Sequence, residues 1–151
     1  MTYIIIIILG FILDRISKVY AINNFINHPY DGTLLNFTYL ENRGAAFGIL
    51  QDSRLFFIIL TIIIVGYLLY YFIKNYKTNK RLLNISLAFI ITGALGNFYD
   101  RLFNGYVVDF IDFAFFEFPV FNIADIFVTV GSILMIIYFL VFEESDMKNE
   151  R

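Results

Sequence analysis

Residues 93–125, GALGNFYDRLFNGYVVDFIDFAFFEFPVFNIAD, bring Asp100, Asp109, Asp112, Glu117 and Asp125 together in a chain that is otherwise mostly hydrocarbon. Charged acids are costly in apolar surroundings, so their presence needs a reason. Two carboxylates brought close together cannot both ionise cheaply, and they share one proton. The ionised member can then take a proton from water while the protonated one polarises a carbonyl. The candidates for such a pair are Asp109, in the strand-like run Val107-Val108-Asp109-Phe110, and Asp125, in Phe121-Asn122-Ile123-Ala124-Asp125. Asp125 is expected about two turns into a helix, roughly 9 Å below its start. Proximity cannot be read from sequence, so Asp100 and Asp112 stay open as rivals to Asp109. Asp100 adjoins Arg101 near a helix end, which suits an ion pair. The acids could also line a proton path, or pair with Arg101 or Arg43.

Other chemistries find few residues. The chain has no cysteine, which removes disulfides, thiolate metal sites and thiol nucleophiles. Its one histidine, His28, lies in a turn-like INHPYDG stretch, so neither a histidine-based triad nor a zinc site can be built, and no metal or other cofactor is expected. Ser17 and Lys18 are adjacent on a helix and point apart, which argues against a Ser/Lys dyad. The Gly-x-Gly-Asp segment of presenilin-type proteases is missing. A net charge of −2 leaves no basic surplus for nucleic acid.

The elements that must position these acids are largely membrane-spanning. The chain is 60% hydrophobic, 20% aromatic and only 16% charged, against about 25% charged in a soluble domain. Four spans are expected, near 1–22, 55–73, 82–98 and 119–142, in a single domain covering 1–151. The first lacks a basic leader and a small-x-small cleavage site, so it reads as a retained helix. Asp14 and Lys18, four apart towards its far end, can pair. His28-Pro29-Tyr30-Asp31-Gly32 marks a turn, and residues 33–40 suit a short strand on the membrane surface. Glu41-Asn42-Arg43-Gly44-Ala45-Ala46-Phe47-Gly48 follows as a close-packing, small-residue block. Lys74, Lys77, Lys80 and Arg81 make the loop between spans two and three cytoplasmic. The acid-bearing connections then face outwards, and both termini face the cytoplasm.

Five blocks in chain order carry a resemblance: Asp14-x-x-x-Lys18, Asn42-x-Gly44-Ala45-Ala46-Phe47, Gly96-Asn97-x-x-Asp100-Arg101, Val107-Val108-Asp109-Phe110 and Phe121-Asn122-x-Ala124-Asp125. Together they cover nearly the whole chain, and the chain resembles bacterial lipoprotein signal peptidase, or signal peptidase II. The resemblance implies an all-α membrane protein of four transmembrane helices, with a small β-cradle on the outer, extracytoplasmic face built from residues 33–40 and 106–118. It implies an aspartic endopeptidase of the bacterial cytoplasmic (inner) membrane that cleaves diacylglyceryl-modified prolipoproteins before the lipidated cysteine. Asp109 and Asp125 fall on the catalytic pair. Asp14, Lys18, Asn42, Gly44, Asn97, Asp100, Arg101 and Asn122 fall on supporting positions, with Arg101 expected to neutralise Asp100. Membrane lipids and a globomycin-type inhibitor are implied as further partners, and a monomer is expected. The alternative is a small transporter or assembly factor that uses the acids as a proton relay.

Overall fold

The computed structural model describes residues 2–44 and 49–143. Ala45, Ala46, Phe47 and Gly48 of the small-residue block, and the acidic tail from residue 144, lie outside the described residues. The chain is predominantly helical with one two-stranded sheet.

The first helix, α1 (Thr2–Phe25), grows from an almost unbroken apolar run. Its buried residues are Gly10, Asp14, Lys18 and Ala21, a single stripe at helical spacing. The isoleucines and leucines on its other faces are exposed. This inverts the soluble pattern: the polar residues face inwards and the hydrocarbon faces out. Asp14 lies midway along the 24-residue helix, not towards its end as expected, because the helix continues beyond the charged residues to Phe25.

Helix α2 (Arg54–Asn75) and helix α3 (Arg81–Phe103) follow, then α4 (Ile123–Tyr138), which continues in a π-helical turn over Phe139–Glu143. The segments Arg54–Asn75, Arg81–Phe103 and Ile123–Phe142 are long and apolar enough to cross a membrane. Among the described residues these are the three that are so; α1 has the length but carries Asp14, Arg15 and Lys18. Helix α3 is central and packs against the other three helices. Its close approach to α4 needs Gly93, where a Cβ would lie 2.1 Å from the Ala124 carbonyl oxygen. Helix α2 adds a clamp: Arg54 donates to the Arg101 and Leu102 carbonyls at 2.7 and 2.8 Å, satisfying groups that end α3.

Strand β1 (Leu35–Asn42) pairs antiparallel with β2 (Val107–Phe113), with Leu40 opposite Asp109 and Asn42 opposite Val107. A register shift between Phe37 and Leu40 bends the ribbon. The strand runs beyond the expected residue 40, which puts Asn42 diagonal to Asp109 on the same face. Residues 114–118, expected in the cradle, belong to no strand; Phe121 then bridges back to Ile111. Val108, Phe110 and Ile111 pack with Ala21 of α1, anchoring the sheet to the helical bundle.

The start of α4 differs from the expectation. Residues 119–121 are not helical, Asn122 is the N-cap, and Asp125 sits in the first turn instead of two turns in. Pro119 and the bridge at Phe121 hold this segment extended, so the helix starts only where Asn122 can cap it.

Candidate active site

Asn122 is the residue from which the site is built. Its side chain accepts the Asp125 N–H at 3.0 Å, while Asp125 Oδ2 accepts the Asn122 N–H at 3.1 Å. This reciprocal capping box fixes the first turn of α4 and the direction of the Asp125 carboxylate. The same Asn122 side chain donates through Nδ2 to Asp109 Oδ1 at 2.6 Å. One asparagine therefore holds both carboxylates, from a helix start and from a strand.

Two further amides complete the arrangement. Asn42 Nδ2 donates to Asp109 Oδ2 at 2.8 Å, and its Oδ1 accepts the Gly44 N–H at 3.0 Å, which fixes which way the amide points. Gly44 must be small, since a Cβ there would lie 2.6 Å from the Ile49 carbonyl oxygen. Asn97 Nδ2 donates to Asp125 Oδ1 at 2.7 Å; its Oδ1 accepts from Lys18 Nζ at 3.0 Å and from Asn122 Nδ2 at 3.2 Å. The Lys18 ammonium, a pure donor, thus sets the orientation of Asn97.

Asp109 and Asp125 both line a cavity of about 460 Å³, together with Asn42, Asn97 and Arg101 and an apolar wall that includes Ile126 and Val130. A hydrocarbon wall beside two carboxylates suits a substrate with an apolar segment next to a polar bond. Burial pushes the Asp109 carboxyl up to about 7, and the neighbouring Asp125 charge pushes the same way. The amides of Asn42 and Asn122 and the Lys18 charge oppose this, but burial prevails.

The supporting charges are arranged differently from the sequence expectation. Asp100 does not pair with Arg101. Its Oδ1 accepts from Arg15 Nη1 at 2.6 Å and its Oδ2 from Lys18 Nζ at 2.8 Å. Successive helical residues point about 100° apart, so Asp100 faces α1 while Arg101 turns towards the cavity. Arg101 donates to the Gly44 carbonyl at 3.0 Å and lies 4.7 Å over the Phe57 ring. The expected Asp14–Lys18 pair is present at 3.2 Å, buried in mid-helix. Asp112 faces Asn36 at 3.2 Å across the sheet, and Glu117 lines a groove that adjoins the dyad cavity and shares Asn42 and Phe113 with it; neither acid lines the dyad cavity itself.

Sequence reasoning missed Arg15. Its guanidinium contacts Asp14 at 2.5 Å, Asp100 and the Gly96 carbonyl, and it lies 4.7 Å over the Tyr99 ring. A signal was available: two acids in apolar helices against Lys18 alone leave a charge to balance, and Arg15 is the cation beside them. Among the described residues no group of three or more His, Asp or Glu side chains is arranged to hold a metal ion.

The family model described as "Signal peptidase (SPase) II" matches residues 6–141. A lipoprotein signal peptidase of Clostridium tetani is 47% identical over 144 residues, covering 91% of this chain and 91% of that protein. The enzyme of the same name from Clostridium novyi is 46% identical over 143 residues, covering 91% and 96%. A solved structure described as a bacterial membrane enzyme determined by the in meso method at 2.3 Å resolution superposes with a TM-score of 0.85 at 39% identity, covering 99% of this chain and 92% of that one. Matches of this extent and identity leave one conclusion: the chain belongs to the signal peptidase II family.

Proposed function

We propose that Asp109 and Asp125 are the catalytic dyad of this membrane aspartic peptidase, which removes signal peptides from prolipoproteins. The observation that carries the assignment is Asn122, which bonds both carboxylates at the edge of one cavity. A water held between the two acids loses a proton to the ionised carboxylate as its oxygen attacks the scissile carbonyl carbon. The protonated partner donates to the carbonyl oxygen. The C–N bond then breaks: the proton taken from water passes to the departing amine, and a hydroxyl on the tetrahedral carbon returns its proton to the other carboxylate as the new carboxyl group forms. Both carboxylates return to sharing one proton, with no covalent intermediate.

In the finer reading, the scissile bond precedes a diacylglyceryl-modified cysteine whose acyl chains lie in lipid against the apolar wall of the cavity. Asn42, Asn97 and Asn122 orient the carboxylates, Gly44 lets its loop pass close, and Arg101 supplies a positive charge at the rim. Asp14, Lys18 and Asp100 support them from behind. The chain acts as one domain and as a monomer, with α1 as a fourth span. The Lys74–Arg81 charges lie at the opposite end of the helices from the sheet, which supports a cytoplasmic loop, cytoplasmic termini and a site near the outer face. A globomycin-type inhibitor is expected to occupy the dyad cavity. The relay alternative finds little support: towards the far end of α3, Thr92 and Ser86 bond to their own helix carbonyls and form no titratable path.

The test is cleavage of lipidated and unlipidated precursor by the purified protein in detergent, with and without globomycin. Asp109→Asn and Asp125→Asn should each abolish cleavage while melting as cooperatively as the parent. Substantial turnover by either variant removes the dyad assignment. Cutting that ignores the lipid removes the substrate reading.

A further inference from the structure

The buried Asp14, Lys18 and Asp100 and the partly buried Arg15 form a closed quartet between α1 and α3. Arg15 bonds to Asp14 and Asp100, and Lys18 bonds to the same two acids at 3.2 and 2.8 Å. Each carboxylate also reaches a backbone N–H outside the quartet. Asp14 Oδ1 accepts the Ala124 N–H at 3.1 Å, and Asp100 Oδ2 accepts the Val108 N–H at 3.3 Å. Ala124 immediately precedes Asp125, and Val108 immediately precedes Asp109. The two backbone positions that carry the dyad are thus tied to two carboxylates that share the same pair of cations.

We infer that the Asp14–Arg15–Lys18–Asp100 quartet sets the spacing of the dyad, and that Arg15 is the positioning residue on which this setting depends. The inference rests on the dyad assignment above. Arg15 is the critical member because Lys18 has no donor to spare: its three go to Asp14, Asp100 and Asn97. Without Arg15, two buried acids face one lysine. The site can then neutralise an acid with a proton, which weakens its hold on Ala124 or Val108. Or it can draw Lys18 away from Asn97, which leaves that amide oriented only by the 3.2 Å contact from Asn122 and loosens its hold on Asp125. Both routes displace a catalytic carboxylate. Arg15 does neither of these things by touching substrate, since it lines a different cavity from the dyad and its guanidinium lies against the Tyr99 and Phe11 rings.

The test uses the full-length protein and lipidated precursor, with kcat and KM measured between about pH 5 and 9. The charged groups lying towards the dyad are Lys18 from α1 and Arg101 from α3, and both remain in every variant. Arg15→Met should lower kcat by about tenfold or more with KM changed by less than about threefold, because transition-state geometry is lost and substrate binding is not. Its pH profile should shift. Arg15→Lys returns the charge without the planar fork and should recover much of kcat. Arg15→Met combined with Asp100→Asn rebalances the charge and should bring the pH profile back towards that of the parent. A parental kcat and pH profile in Arg15→Met overturns the inference. So does a loss that only follows the folded fraction, with a parental profile in what remains. Asp109→Asn and Asp125→Asn run in parallel: turnover in either overturns the dyad reading itself, whereas inert dyad variants beside an indifferent Arg15→Met overturn this inference alone.

Discussion

Asp109 is held where ionisation is expensive, and its surroundings give that expense a sign. Its carboxyl is pushed up to about 7 from an ordinary value of 3.8, first by burial and then by the Asp125 charge. Between those values the folded protein binds more protons than the unfolded chain, so this residue makes stability fall as pH rises. Its contribution is complete above about pH 7 and absent below about pH 4, and it amounts to about 4 kcal/mol at most. Asp109→Asn removes the titration but sets an amide against the Asn42 and Asn122 donors, so its absolute stability has an offset. The slope is the cleaner reading. Melting temperatures in detergent should fall less between about pH 4 and 8 in Asp109→Asn than in the parent. Equal slopes would mean that Asp109 is not the group that titrates. In the active protein the same titration should make kcat/KM decline above about pH 7, as the dyad loses its shared proton.

At the scale of elements, the site is a meeting of a helix start and a strand, and Asn122 serves both. Asn122→Ala removes a cap, which alone costs about 1 kcal/mol of stability. It also leaves Asp109 with only the Asn42 donor, while the backbone N–H at position 122 and the Asn97 amide still hold the Asp125 carboxylate. The larger effect is therefore catalytic, with kcat falling on the order of a hundredfold, as when a preorganised donor is lost. The two effects are checked together by melting temperature and single-turnover rate; a rate loss no larger than the stability change predicts would reduce Asn122 to a cap.

The legibility of these elements follows the range of the contacts. Asp14 and Lys18 are four apart on one helix, and their pairing was readable from that spacing alone. The partner of Asp100 was not: sequence adjacency suggested Arg101, but helical rotation turned the two apart and gave Asp100 to Arg15, 85 residues away. The capping box of Asn122 and Asp125 is local, yet the helix start was expected at residue 119, because the apolar run 119–121 looks the same as the first turn of a span. Only the bridge from Phe121 to Ile111 makes it extended, and that contact is tertiary. The bond from Asp14 to Ala124, across 110 positions, has no local signature at all.

At the scale of the whole molecule, the number of spans turns on α1. By length and composition α2, α3 and α4 with its extension can each cross a membrane, while α1 carries three charges in mid-helix. Charges exposed to lipid would forbid a span, but these are not exposed: Asp14 and Lys18 are buried against α3, and Arg15 is paired with Asp14 and Asp100. What α1 offers to lipid is its isoleucines and leucines. At about 1.5 Å per residue, 24 residues reach about 36 Å, enough for the hydrocarbon core. Contacts of Asp14 with Gly96 and of Lys18 with Asp100 show α1 running alongside α3 in the same direction. If α3 crosses, α1 crosses with it. The absence of cysteine makes this measurable, because Thr2→Cys, His28→Cys and Lys77→Cys each introduce a single thiol. In sealed vesicles of known orientation, a membrane-impermeant maleimide should label position 28 from the outer side and positions 2 and 77 only from the cytoplasmic side. Labelling of position 2 from the same side as position 28 would mean that α1 does not cross, and the four-span topology would fall with it.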